Sequence, residues 1–229
     1  GGADVGTNAD DIRVIAEVTP HVRGVDVVHG DGSEATGYGV FQAMRAAVKF
    51  KYDATSFRGM KVAVQGAGNV GAALCKLLAA DGARLVVADP AAAAADAIAQ
   101  AYGATVCKPN EILGQDVDVL APCALGEVIS TESVPQIKAR VVCGAANNQL
   151  VNAAAGQALF ERGILFAPDF AANAGGIINA RAEGPNYDKA KVWADLDKIY
   201  DRCLQVFEKS AATGTPPEAA AELIVAELN

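Results

Sequence analysis

The sequence predicts an α/β fold: an open parallel sheet with helices on both faces. Three observations predict it. Short apolar runs recur through the middle of the chain, at Lys61 to Gln65, Arg84 to Ala88, Val117 to Ala121, Arg140 to Cys143 and Ile164 to Ala167, as expected of strands buried on both sides. Helix-compatible segments separate these runs, an alternation that implies right-handed crossovers between parallel strands. Between the first run and the helix after it stands Gly66-Ala67-Gly68-Asn69-Val70-Gly71, and Asp89 closes the second run 23 residues after Gly66.

From the N-terminus, Asn8 is a candidate cap for a helix with Asp10 and Asp11 in its first turn and Ile12, Ile15 and Ala16 on one face. Val22 to Ser33 holds Gly24, Gly30 and Gly32 and reads as a loop. Thr36 to Lys51 then spaces Val40, Phe41, Met44 and Val48 as one buried helix face.

The glycine unit follows. Gly66 suits a tight turn, Gly68 lets the backbone approach a diphosphate, and Gly71 lets the helix pack on the sheet. The amides of Asn69 and Val70 lie at a helix N-terminus, which attracts phosphate. A carboxylate at Asp89 is placed to accept both hydroxyls of an adenosine ribose. The unit therefore predicts a Rossmann-type, doubly wound sheet that binds a dinucleotide. Asp89 favours NAD over NADP, because a carboxylate repels a 2′-phosphate.

A helix over Ala91 to Tyr102 starts after Pro90 and stops at Gly103, so its alanine run reads as helix and not as linker. Asn148 to Glu161 is the clearest of the later helical segments. Ala171 to Asn179 reads as a small-residue turn leading into a helix. Lys189 to Thr213 carries Trp193, Leu196, Tyr200, Cys203 and Phe207 at helical spacing and is stopped by Gly214, and Glu218 to Leu228 forms a last short helix. The expected organisation is an entry helix and interdomain loop over 1–35, the dinucleotide domain over 36–187, and packing or hinge helices over 188–229.

Composition narrows the function class. Hydrophobic residues make up 52% and charged residues 20%, a globular balance. The net charge of −8 is spread without a basic block, which argues against nucleic acid or an anionic membrane as partner. No apolar run reaches the roughly 20 residues that span a bilayer. Five cysteines without a CxxC pair fit a reducing, cytoplasmic setting, and two histidines without a Cys/His cluster speak against zinc.

Six motifs occur in order: Asp4-Val-Gly-Thr7, Ala35-Thr36-Gly-Tyr-Gly39-Val40, Gln65 to Val70, Ala121-Pro122-Cys123-Ala-Leu-Gly126, Gly144-Ala145-Ala146-Asn147-Asn148 and Ala167-Pro-Asp-Phe-Ala-Ala-Asn173-Ala-Gly-Gly176. Over nearly the whole chain this resembles the glutamate/leucine/phenylalanine/valine amino-acid dehydrogenases, nearest the leucine branch. The resemblance implies NAD-dependent, reversible oxidative deamination of an L-amino acid to a 2-oxo acid and ammonium, with homo-oligomeric assembly of the full-length protein. It also implies an N-terminal substrate domain with two functional lysines, and none of the lysines here stands in such a motif. The expectation is the cofactor-binding part of such an enzyme. The expected substrate is a branched-chain aliphatic, leucine-type amino acid; the rival expectations are a phenylalanine-type dehydrogenase and a non-catalytic dinucleotide sensor or regulatory module.

By the same resemblance Asp4 is the acid/base at the interdomain rim, although a loop carboxylate capping a helix explains it too. Thr36 opens its helix and bonds the nicotinamide carboxamide, or serves as an N-cap; Glu34 stands where the family suggests proline. Pro90 contacts adenosine. Ala121, Pro122 and Cys123 let a ribose lie against backbone at a strand end, with Cys123 a spacer and not a nucleophile. Ala145, Ala146 and Asn147 end the next strand, and Asn147 bridges the nicotinamide ribose and the substrate carboxylate. Asn173 faces the nicotinamide amide. Turn formation is the alternative for both asparagines. Ile177 and Ile178 line an aliphatic pocket or pack in the core.

Overall fold

A computed structural model of the chain describes residues 9–19, 21–22 and 32–227. Helix α1 (Ala9–Ala16) precedes the long α2 (Gly32–Tyr52). Then follow β1 (Lys61–Gln65), α3 (Asn69–Ala80), β2 (Arg84–Ala88), α4 (Ala92–Tyr102), β3 (Thr105–Val106), β4 (Val119–Pro122) and β5 (Val141–Val142). The chain continues with α5 (Ala153–Glu161), β6 (Leu165–Phe166), α6 (Asp169–Ala172), α7 (Gly175–Ala182), α8 (Lys189–Thr213) and α9 (Pro217–Glu227).

The six strands form one sheet in the order β3-β2-β1-β4-β5-β6, and every pairing is parallel. The expected Rossmann-type, doubly wound sheet is therefore present. Chain order reverses between β1 and β4, and beyond the carboxyl ends of those strands open sheets of this kind hold their ligands. Strand residues alternate between two cores. Val62, Val64, Val119, Ala121, Val141, Cys143, Leu165 and Ala167 pack with α2, α3 and α8 on one face. Ala63, Leu120, Val142 and Phe166 face Ile112, Ile129, Ile137 and Leu159 on the other. Burial on both faces is why the strands read as unbroken apolar runs.

Several boundaries differ from expectation. Helix α2 begins at Gly32, so Thr36 lies one turn inside it and its Oγ1 donates to the Gly32 carbonyl at 2.7 Å. The N-cap reading of Thr36 is corrected accordingly. Glu34 sits in the first turn, where a carboxylate favours the helix. Strand β3 was not expected: it is two residues long, exposed at both, and offers no apolar run. Asn148 is not helical but left-handed, with φ 51°. Helix α5 starts only at Ala153, capped by Asn152, whose side chain accepts from the Ala155 amide. Gly175 and Gly176 belong to the first turn of α7 and not to a preceding turn. In α1, Ile12 is buried but Ile15 is 43% exposed. The α8 prediction matches at both ends, with Leu196, Cys203 and Phe207 buried and Asp188 capping through Lys191 N. The expected cap Asn8 and residues 23–31 of the expected loop lie outside the described residues.

All five thiols are free. Burial pushes Cys75, Cys123 and Cys203 up to about 12 and Cys143 higher than an ordinary thiol, whose value is 9.0. A folded-state value raised above the unfolded one contributes stability that is complete below pH 9 and is lost as pH climbs toward 12. The unfolding free energy from urea titration should therefore fall above pH 9, by about 1 kcal/mol at pH 10 for each of the buried Cys75 and Cys203. A flat profile from pH 8 to 10.5 would contradict this burial.

Candidate dinucleotide site

The glycine unit joins the end of β1 to the start of α3. Gly66 has φ +100°, and its amide donates to the Ala88 carbonyl at 2.8 Å, tying the turn to the end of β2. A Cβ on Gly71 would stand 2.0 Å from the Gly66 carbonyl oxygen, so only glycine lets the helix close on the turn. A Cβ on Gly68 would meet nothing within 4 Å. The loop is thus packed tightly on its inner side and open on its outer side, at the N-terminus of α3. Gly68 itself is the N-cap, without a side chain to cover the first amides. The open space beside Gly68 and the exposed first turn fit a diphosphate. The residues present fit the dinucleotide that the sequence implies.

Asp89 faces this loop. Its Oδ2 accepts from the Ala67 amide at 2.7 Å, and its Oδ1 accepts from the Ala91 amide at 2.8 Å. An ionised carboxylate has about four acceptor positions, so two remain for ribose hydroxyls. Pro90 beside it is exposed.

Across the reversal point lies a second group. Cys123 follows β4, and its amide donates to the Gln65 carbonyl at 2.7 Å, which joins this loop to the glycine unit. Its thiol, held near 12 by burial, is neutral at working pH, as a spacer would be. Ala121 and Pro122 are buried, and the Pro122 carbonyl accepts from the Ala146 amide at 3.0 Å. Asn173 Nδ2 donates to the Ala145 carbonyl at 3.1 Å and to Asn147 Oδ1 at 2.6 Å. These bonds orient both amides, because a backbone carbonyl can only accept. The end of Asn173 facing it is therefore the NH2, and Asn147 must turn its oxygen toward that NH2. The Asn147 Nδ2 is then left to donate outward from this exposed residue, and Asn173 Oδ1 remains an acceptor. Thr36 borders the same region, since a Cβ on Gly176 would lie 2.7 Å from its Oγ1. Having given its proton to Gly32 O, this hydroxyl keeps lone pairs to accept.

The structure therefore brings Gly66 to Gly71 and Asp89 together at one end of the crevice. At the other end it brings Ala145, Asn147 and Asn173 together, with Thr36 beside Gly176, three residues on from Asn173. Asp4 lies outside the described residues. Ile177 is 76% exposed, which removes core packing as its explanation, while Ile178 packs on the core beside α2 and α8.

Two contributors escaped sequence reasoning. Gln149 is fully buried, and its Nε2 donates to the carbonyls of Gly144 and Ala146, both at 3.0 Å. Asp169 accepts from the Asn148 amide. Only the position of Asp169 inside the motif at 167–176 could have signalled it. Among the described residues no group of three His, Cys, Asp or Glu is placed to hold a metal ion. Nor is any described helix long and apolar enough to cross a membrane.

Fold and crevice together define a Rossmann-type dinucleotide-binding architecture. The family model for Glutamate/Leucine/Phenylalanine/Valine dehydrogenase matches residues 30–97 and 91–224, and the chain belongs to this family. Leucine dehydrogenase of Bacillus cereus is 40% identical over 227 residues, 98% of this chain and 62% of that protein. Valine dehydrogenase of Streptomyces albus is 37% identical over 227 residues, 96% of this chain and 62% of that protein. The crystal structure of L-tryptophan dehydrogenase from Nostoc punctiforme superposes with a TM-score of 0.87 at 39% identity, covering 99% of this chain and 66% of that one. The chain thus spans a little under two thirds of the curated relatives it matches.

Proposed function

We propose that this chain is the cofactor-binding part of an NAD-dependent L-amino-acid dehydrogenase that interconverts an amino acid with its 2-oxo acid and ammonium. The single observation that carries the reading is the loop that is closed at Gly71 and open at Gly68, with Asp89 bonded to it. The first-turn amides of α3 hold the diphosphate, Asp89 accepts from the adenosine ribose and sets the preference for NAD, and Pro90 flanks the adenosine. Asn173 Oδ1 and Thr36 Oγ1 accept from the nicotinamide carboxamide and fix which ring face meets the substrate. Asn147 Nδ2 donates to the substrate carboxylate and the adjoining ribose, and Asp4 moves protons at the amino nitrogen. The bound dinucleotide supplies the two-electron acceptor; the chain supplies orientation.

The substrate-binding lysines belong, in this reading, to an N-terminal domain that this chain does not supply, and the whole protein is a homo-oligomer. A branched-chain aliphatic substrate is supported by the identity with leucine and valine dehydrogenases and by the exposed Ile177. A bulky aromatic substrate is a second reading, supported by 40% identity to L-tryptophan dehydrogenase.

Fluorescence titration should give saturable NADH binding by the chain, with NADPH weaker by at least about tenfold. Supplying a lysine-bearing substrate domain and following NADH absorbance with leucine, valine, phenylalanine and tryptophan tests the rest. Absence of NADH binding at millimolar concentration sinks the reading. Tight binding without turnover on any of the four would favour a sensor.

A further inference from the structure

Two residues one helical turn apart grip two successive residues of a loop. Asp169 opens the single turn α6 and Asn173, four residues on, is its C-cap, the two joined by the bond from the Asn173 amide to the Asp169 carbonyl at 2.8 Å. The Asn173 side chain reaches Asn147, and the Asp169 carboxylate reaches the amide of Asn148. An acid in a first helical turn ordinarily serves its own helix. Here the carboxylate crosses to a loop 21 residues away in sequence.

Apart from the bonds of the Asn173 side chain itself, to the Ala145 carbonyl and to Asn147 Oδ1, the other ties on that loop do not reach the turn that carries Asn173. Gln149 fastens Gly144 O and Ala146 O within the loop itself, and the Asn148 carbonyl is held by the Glu127 amide at 2.6 Å, from the β4 side. Asn148 is also left-handed, at φ 51°, a conformation that asparagine tolerates better than most side chains. Among the described residues, it is the Asp169 bond that runs from the turn carrying Asn173 to the residue beside Asn147.

We infer that Asp169 is a positioning residue of the nicotinamide half of the site, holding Asn147 at hydrogen-bonding distance from Asn173 so that one amide presents a donor and the other an acceptor to the ligand. The inference rests on the dinucleotide reading above. The carboxylate touches neither ligand nor reacting atom, and it acts through the loop.

A comparison of NADH with ADP, which lacks both the nicotinamide and its ribose, isolates this role. In the chain as it stands, Asp169→Ala should weaken NADH about tenfold, the scale of one lost hydrogen bond to a charged acceptor, and leave ADP unchanged. Asp169→Asn keeps an acceptor oxygen for the Asn148 amide and should restore most of the NADH affinity. General structural damage would weaken both ligands equally, and that result overturns the inference, as does an Asp169→Asn chain as weak as Asp169→Ala. Should Asp169→Ala fail to fold, Asp169→Glu takes its place. One added methylene keeps the charge and shifts the grip, so NADH should weaken while ADP does not; wild-type NADH affinity in that variant overturns the inference. If the unsubstituted chain binds ADP but NADH no more tightly, this inference falls and the diphosphate reading survives. If it binds neither, both fall.

Discussion

Gly71→Ala should abolish NADH binding and destabilise the fold by about 3 kcal/mol or more, whereas Gly68→Ala, three residues away, should leave the fold standing and lose only the ligand. At position 71 the added methyl would lie 2.0 Å from the Gly66 carbonyl oxygen and 3.0 Å from its carbon. Neither atom can yield without moving the turn or the helix, which is the overpacking case at its most severe. At position 68 the backbone is extended, φ −67° and ψ −174°, which any residue adopts, and the methyl meets no protein atom. Stability there should stay within about 1 kcal/mol of the parent. The methyl would, however, occupy the space into which the diphosphate must come, and NADH should weaken by roughly 100-fold. Urea unfolding and NADH fluorescence on the two variants separate the effects. A Gly68→Ala chain that binds NADH like the parent would remove the diphosphate from this loop.

The second large effect is expected at Asp89. Asp89→Ala leaves the amides of Ala67 and Ala91 without their acceptor and takes away the ribose partner as well. Loss of charged acceptors on this scale should weaken NADH about 100-fold. Inorganic pyrophosphate, which has no ribose to lose, should weaken about tenfold, because the loop that holds it loses its side-chain tie to the end of β2. Isothermal titration with both ligands measures the two roles separately. Unaltered pyrophosphate affinity would mean that Asp89 serves the ribose alone.

How much of this was legible depends on the range over which each residue acts. The strands were readable because Val62, Val64, Leu120 and Phe166 each lie against a core on one face of the sheet or the other, which leaves no polar alternation to confuse the pattern. Helix α8 was readable because its apolar residues keep helical spacing up to a local stop signal at Gly214. Thr36 was misplaced since glycine at 32 resembles a loop residue, and the turn that holds Gly32 is fixed by packing against α7, distant in sequence. Gly175 was misread for the same reason: its absent side chain makes room for Ala35 O, which a Cβ would approach to 2.1 Å. The candidate site residues were named from motifs, whereas Gln149 and Asp169 were not singled out. Their work is to hold other residues, and that partnership exists only after the chain has folded.

Helix α2 links the two ends of the crevice through contacts with no slack. Gly37 lets it settle on the first turns of α3, where a Cβ would come within 2.9 Å of Ala73 Cβ and 3.3 Å of Val70 O. Gly39 lets it settle on α7 and α8, a Cβ there meeting Ile199 at 2.9 Å and Gly175 at 3.3 Å. Wedged on both flanks, α2 acts as a gauge rod: the open turn at Gly68 and the region around Thr36, which in the proposed reading hold the diphosphate and the carboxamide, are spaced before any ligand arrives. A molecule with both groups on one tether enters anchors already cut to its length, and its second half docks at the high effective concentration that such spacing confers.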